Sequence, residues 1–110
     1  MKRHILLIED NEQNRYLTTF LLEKHGYRVT SAATGPAGVQ LARELLPDLI
    51  LLDVQLPGMD GYAVATALKA DARTSGIPIV VVTSCAMAGD REKVLATGAE
   101  GYLAKPIDPE

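Results

Sequence analysis

Short apolar runs alternate with longer stretches of helical period along all 110 residues. "HILLI" (4–8) is almost continuously apolar, as expected of a strand covered on both faces. In "NEQNRYLTTFLLEKHG", Leu17, Phe20, Leu21 and Lys24 recur at helical spacing, which predicts a helix with the lysine stem at the edge of its apolar stripe. Asn11 suits its start and Gly26 its end. "YRVTSA" alternates as a strand does. Thr34 is placed to cap a second helix with Pro36 in its first turn, and Gly38, Leu41, Ala42 and Leu45 would line one face. Pro47 stops it. "DLILLD" predicts a third strand, and Asp60 is placed to cap "GYAVATALKAD", whose buried edge would be Val64, Ala65 and Leu68. "RTSGIP" is a loop. "IPIVVVTS" is the most β-branched run in the chain and predicts strand four. "AMAGDREKVLATGAE" predicts a fourth helix with a poor apolar face of Ala88, Arg91, Leu95 and Gly98; "GYLAKP" predicts strand five.

Strand-helix alternation repeated in this way implies a parallel sheet with helices on both faces. The fold class is therefore α/β, doubly wound and five-stranded. A sheet of this kind needs a further helix after strand five. The 110 residues end at "IDPE", where that helix would begin, so the expectation is either that the helix belongs to a continuation of the chain or that something else covers that surface.

Size and composition narrow the class without choosing a function. The length fits one domain, 1–110, and the 47% apolar and 23% charged residues are ordinary for a globular fold. The formal net charge of −3 comes with no Lys/Arg stripe, so no nucleic-acid partner is expected. "MKRHILLIEDN" resembles the start of a signal peptide, but its apolar run stops after four residues at Glu9-Asp10. No stretch approaches the roughly 20 apolar residues of a membrane span. A lone cysteine, Cys85, forms no internal disulfide. These features predict a cytoplasmic location.

The chemistry gathers at the carboxyl ends of the strands, where ligands of open parallel sheets bind. Glu9 and Asp10 follow strand one, Asp53 ends strand three, Thr83 and Ser84 end strand four, and Lys105 ends strand five. Strand two ends in "SAA", without charge, so with strand two on the outside the polar ends lie together. Three carboxylates in one crevice repel one another, so either a pKa rises or a cation balances them. Oxygen ligands suit Mg²⁺. A metal ion, a lysine and a hydroxyl around one carboxylate form a phosphoryl-transfer site, with Asp53 as nucleophile. Each residue alone has an ordinary explanation. Glu9 and Asp10 suit a helix start, Thr83 a strand end, Lys105 a surface and Pro57-Gly58 any turn. Their conjunction argues for the site. His25 reads as a helix-end cation rather than a ligand, and "TGPAG" (34–38) lacks the Lys-Ser/Thr ending of a P-loop. Cys85 has no visible activating neighbour.

Taken together, "IEDN", "LLDVQLPGMDG", "VVVTS" and "GYLAKP", in this order and spacing, resemble the CheY-like receiver domain of bacterial two-component response regulators. The resemblance implies a flavodoxin-like sheet of order 2-1-3-4-5. It implies that Asp53 accepts a phosphoryl group from a sensor histidine kinase or histidine phosphotransfer protein. Asp10, Asp53 and the backbone carbonyl of Gln55 would ligate Mg²⁺ (or Mn²⁺), with Glu9 acting through water. Lys105 would bind the phosphoryl group, Thr83 and Tyr102 would form a switch pair, and the fourth helix and fifth strand would carry the changed surface to a downstream protein or output domain.

A second class was weighed from the residues. An aspartate-nucleophile phosphohydrolase of haloacid-dehalogenase type needs a second acid two residues after the nucleophile. Here that residue is Gln55, which cannot serve as general acid or base. The expectation is a switch rather than a turnover enzyme.

Overall fold

A computed structural model describes residues 3–53, 61–83, 92 and 95–104, with Thr83 and residues 102–104 described by backbone alone. Five strands form one sheet: β1 (His4–Ile8), β2 (Arg28–Ala32), β3 (Leu49–Asp53), β4 (Ile79–Thr83) and β5 (Gly101–Ala104). All neighbours are parallel, in the order β2-β1-β3-β4-β5. The expected order is the observed one. β1 is buried along its whole length and β3 at every residue but Leu49, whereas β2, at the edge, is largely exposed or half-buried.

Three helices are described: α1 (Glu12–Lys24), α2 (Gly35–Leu45) and α3 (Gly61–Ala70). Strand alternation sends side chains to two faces. Leu6, Ile8, Ile50, Leu52, Ile79 and Val81 face α2 and α3, packing with Val39, Ala42, Val64, Ala65 and Leu68. Ile5, Leu7, Leu51 and Val82 form a smaller cluster on the other face, against Leu22 of α1 and Tyr27. Beside that cluster lies a groove of about 330 Å³, lined by Ile5, Leu22, Tyr27, Leu49 and Leu51 with Arg3 and Asp48.

The helix caps follow their sequence signals. Asn11 Oδ1 accepts the Asn14 N–H at 2.9 Å, and Gly26 leaves α1 at φ 92°. Thr34 Oγ1 accepts the Ala37 N–H, and α2 closes on Leu46 in the left-handed region, at φ 47°, directly before Pro47.

Two predicted faces are only partly buried. Of the α1 stripe only Leu21 is half-buried: Leu17 is 54% and Phe20 53% exposed, Lys24 at its edge is exposed, and α1 has no fully buried residue. Arg15, Thr18, Thr19 and Leu22 are its other half-buried positions. On α2 the buried residues are Gly35, Gly38, Val39 and Ala42, while Leu45 is exposed. Glycine brings this helix close to the sheet: a Cβ on Gly38 would stand 2.7 Å from Ile8 Cγ1. The α3 edge is as expected, with Val64, Ala65 and Leu68 at 0% exposure.

The predicted fourth helix lies mostly outside the described residues, as does its proposed member Ala88. Glu92, Leu95 and Ala96 are helical. Gly98 is not part of that face: it sits at φ 97°, and its N–H donates to the Leu95 carbonyl, which ends the helix. Residues 105–110 and the expected cap Asp60 also lie outside the described residues.

The end of the sheet remote from the strand carboxyl termini is tied by side chains. Lys69 Nζ donates to the Ser75 and Ile77 carbonyls at 3.1 and 2.9 Å and to Glu100 Oε2 at 2.7 Å. Glu100 Oε1 accepts the Ile79 N–H at 2.9 Å. One lysine thus fastens α3 to the starts of β4 and β5.

Candidate functional site

The register carries the acidic residues to one point. Ile8 lies beside Leu52 in the β1–β3 pairing, so the next residues, Glu9 and Asp53, stand at the same level as the strands run out. Asp53 pairs with Val82, and Thr83, one step further, pairs with Ala104, the residue before Lys105. Glu9, Asp10 and Asp53 each offer an oxygen, and these oxygens all lie within 4.8 Å of one another. Glu9 and Asp53 are 3% and 6% exposed, and Asp10 is exposed.

Electrostatics makes this arrangement costly as bare anions. Two unit charges at that spacing, with an effective dielectric constant of about 20, repel by roughly 3 kcal/mol. Water screens the exposed Asp10 more than the other two. The donor set is hard and all-oxygen, which is the chemistry of Mg²⁺. Its metal–oxygen distances of about 2.0–2.1 Å put opposite ligands roughly 4 Å apart. A 4.8 Å spread of carboxylate oxygens is within a small side-chain adjustment of that. The residues present therefore fit a divalent cation.

The turn holding the acidic pair is restrained. The Glu9 N–H donates to the Ala32 carbonyl at 2.9 Å. Arg15 Nη1 donates to the Glu9 carbonyl at 3.0 Å and lies 3.4 Å from the Asp10 carbonyl. Sequence reading passed over Arg15. Of the other predicted residues, Thr83 and Tyr102 have their backbones on β4 and β5, at the positions expected. Lys105 and Gln55 lie outside the described residues.

The profile of the response regulator receiver domain family matches residues 5–110. The chain is 41% identical over 106 residues to protein PilH of Pseudomonas aeruginosa, covering 96% of this chain and 88% of that protein. It is 42% identical over 107 residues to the polar-differentiation response regulator DivK of Brucella ovis, covering 97% and 87%. Among solved structures, the receiver domain of a sensor histidine kinase from Pseudomonas aeruginosa superimposes with a TM-score of 0.90 at 39% identity, over 98% of this chain and 88% of that one. That structure has a magnesium ion coordinated in its active site cleft.

This chain belongs to the response regulator receiver domain family. It is a phosphoacceptor signalling switch of the two-component type, which decides against the phosphohydrolase class weighed from sequence. No helix among the described residues is long and apolar enough to cross a membrane.

Proposed function

We propose that Asp53 is the phosphoacceptor and that residues 1–110 act as one cytoplasmic receiver domain. The observation that carries the assignment is the convergence of Asp53, buried at the end of β3, with Glu9 and Asp10. Asp10, Asp53 and the Gln55 carbonyl would hold Mg²⁺ (or Mn²⁺), with Glu9 reaching it through water. The ion supplies charge neutralisation for the phosphoryl oxygens.

The chain's own residues do the rest. An Asp53 carboxylate oxygen forms a bond to phosphorus as the phosphorus–nitrogen bond of a phosphohistidine breaks. The imidazole leaves with that electron pair and takes up a proton, and Asp53 becomes an acyl phosphate. Lys105 places an ammonium on the phosphoryl oxygens, and the Thr83 hydroxyl donates to one of them. The donor is a sensor histidine kinase or a histidine phosphotransfer protein. With Thr83 drawn toward the phosphoryl group, Tyr102 turns inward and the surface next to β5 changes, which is a local charge biasing a two-state element. The protein assists its own phosphorylation and dephosphorylation and turns over no external substrate.

Acetyl phosphate with Mg²⁺ should add one phosphoryl group to the intact protein by mass, chelation of the metal should prevent it, and Asp53→Asn should abolish it. A full-size adduct on Asp53→Asn overturns the assignment.

A further inference from the structure

We propose that Arg15 is a positioning residue for the cation site, holding the turn that presents Glu9 and Asp10 to Asp53. The proposal rests on the metal-site reading above and concerns a residue that reading does not use. The β1 ladder ends at Ile8, so the carbonyls of Glu9 and Asp10 have left the sheet. One guanidinium nitrogen carries two hydrogens and faces both oxygens, at 3.0 and 3.4 Å. The flanking groups are fastened as well: the Glu9 N–H to Ala32, the Arg15 N–H to the Asn11 carbonyl at 2.8 Å, and Asn11 Oδ1 to the Asn14 N–H. Arg15 therefore closes the one interval, from Glu9 to Asp10, that neither sheet nor helix holds.

Rotation of the Glu9–Asp10 peptide would swing the exposed Asp10 carboxylate away from the buried Asp53. Arg15 opposes that rotation by holding that peptide's own oxygen, on Glu9, together with the oxygen of the next peptide, on Asp10. Its charge has a contrary effect, because a guanidinium near the crevice repels a divalent cation. That repulsion acts through solvent at a half-exposed side chain and is screened. The hydrogen bond to Glu9 is short and part-buried. Positioning therefore outweighs repulsion, and removing the guanidinium weakens cation binding.

The test is Mg²⁺ titration of the whole chain followed by amide shifts, for Arg15→Met, Arg15→Lys and, as a control on the same helix, Gln13→Ala. Methionine keeps the apolar stem and loses the donors. Arg15→Met should weaken Mg²⁺ binding by about tenfold, the low end for residues that orient metal ligands. The loss should persist at about 0.5 M salt, where a pure charge effect would vanish. Arg15→Lys should recover most of the affinity, and Gln13→Ala should match wild type. In metal-free protein, the Asp10 and Asn11 amides of Arg15→Met should exchange faster. Should Arg15→Met fail to fold, Arg15→Gln, neutral and shorter, replaces it. Unchanged or tighter binding in Arg15→Met, or a loss abolished by salt, overturns the inference. Asp10→Asn separates the two levels. If it loses Mg²⁺ while Arg15→Met does not, only the role of Arg15 falls. If Asp10→Asn keeps wild-type affinity, the metal-site reading falls and takes this inference with it.

Discussion

Gly38→Ala adds one methyl group where α2 meets β1. Its Cβ would lie 2.7 Å from Ile8 Cγ1 and 3.1 Å from Cγ2, with Cδ1 nearer still. Carbon atoms in contact prefer about 3.5–4.0 Å, so Ile8 must move by roughly 1 Å. Ile8 is 0% exposed, β-branched and stiff, and sits among Leu52, Val39 and Val81. Overpacking of this kind costs about 1–3 kcal/mol, and the severity of the overlap argues for the upper end. Against it, alanine is favoured over glycine inside a helix by about 1 kcal/mol. The net expectation is a destabilisation of about 2 kcal/mol, or a melting temperature lower by roughly 8 °C for a domain of this size. Because Ile8 directly precedes Glu9, Mg²⁺ binding should weaken as well. Gly76→Ala is the matched control: nothing lies within 4 Å of its added Cβ, and its stability should stay within about 0.5 kcal/mol of wild type. Urea denaturation of both, and of Gly38→Ala combined with Ile8→Val, checks the cause. Ile8→Val removes the nearest carbon, so the double variant should be more stable than additivity predicts, by at least about 0.5 kcal/mol. A Gly38→Ala protein as stable as wild type would refute the close-packing argument, as would a purely additive double variant.

Three further outcomes follow from other parts of the molecule. His4 is 8% exposed, with Nε2 2.7 Å from Thr30 Oγ1; burial and then the Arg28 charge hold its pKa below 6.5, against the opposing pull of Asp48. The unfolded chain therefore binds the proton more readily, so this contribution to stability is complete above about pH 6.5 and is lost as pH falls through the folded value; denaturant unfolding at pH 7.5 and 5.5 should show the fall, and His4→Gln should flatten it. Lys69→Met should destabilise by about 1–3 kcal/mol in urea unfolding, because it strips the Ser75 and Ile77 carbonyls of a charged donor, while the bond to Glu100, whose side chain is 49% exposed, adds little. Beryllofluoride, standing in for the phosphoryl group, should shift amides across 83–105, and Thr83→Ala should confine the shifts to the crevice; distant shifts that survive in Thr83→Ala would sink the coupling through Thr83.

The sheet was legible because its inner strands are apolar on both sides, and only a doubly covered strand reads that way. The acidic site was legible because three carboxylates at the ends of two such runs have no packing purpose. What the chain concealed was rotation about helix axes. Periodicity places Leu17, Phe20 and Leu21 on one stripe with Lys24 at its edge, but how far that stripe faces the sheet depends on the neighbours. Here Leu22 packs with Tyr27 and Val29 on the smaller cluster, and Leu17 and Phe20 are left outward. On α2 the inner face is set by closeness of approach rather than by hydrophobicity. Gly38 and Ala42 lie on it as the spacing predicts and Leu41 packs against it, while Gly35 and Val39 join it in place of Leu45. Arg15 escaped notice because its partners are backbone carbonyls, which a sequence does not display.

Locating the phosphoryl group tests the central claim most directly. Borohydride reduces an acyl phosphate to the alcohol and so marks the aspartate that carried it as homoserine. After treatment with acetyl phosphate and Mg²⁺, reduction and proteolysis, the mark should fall on the peptide containing Asp53 and on that residue alone. A mark on Asp10 or Glu9 with Asp53 unmodified would contradict the account.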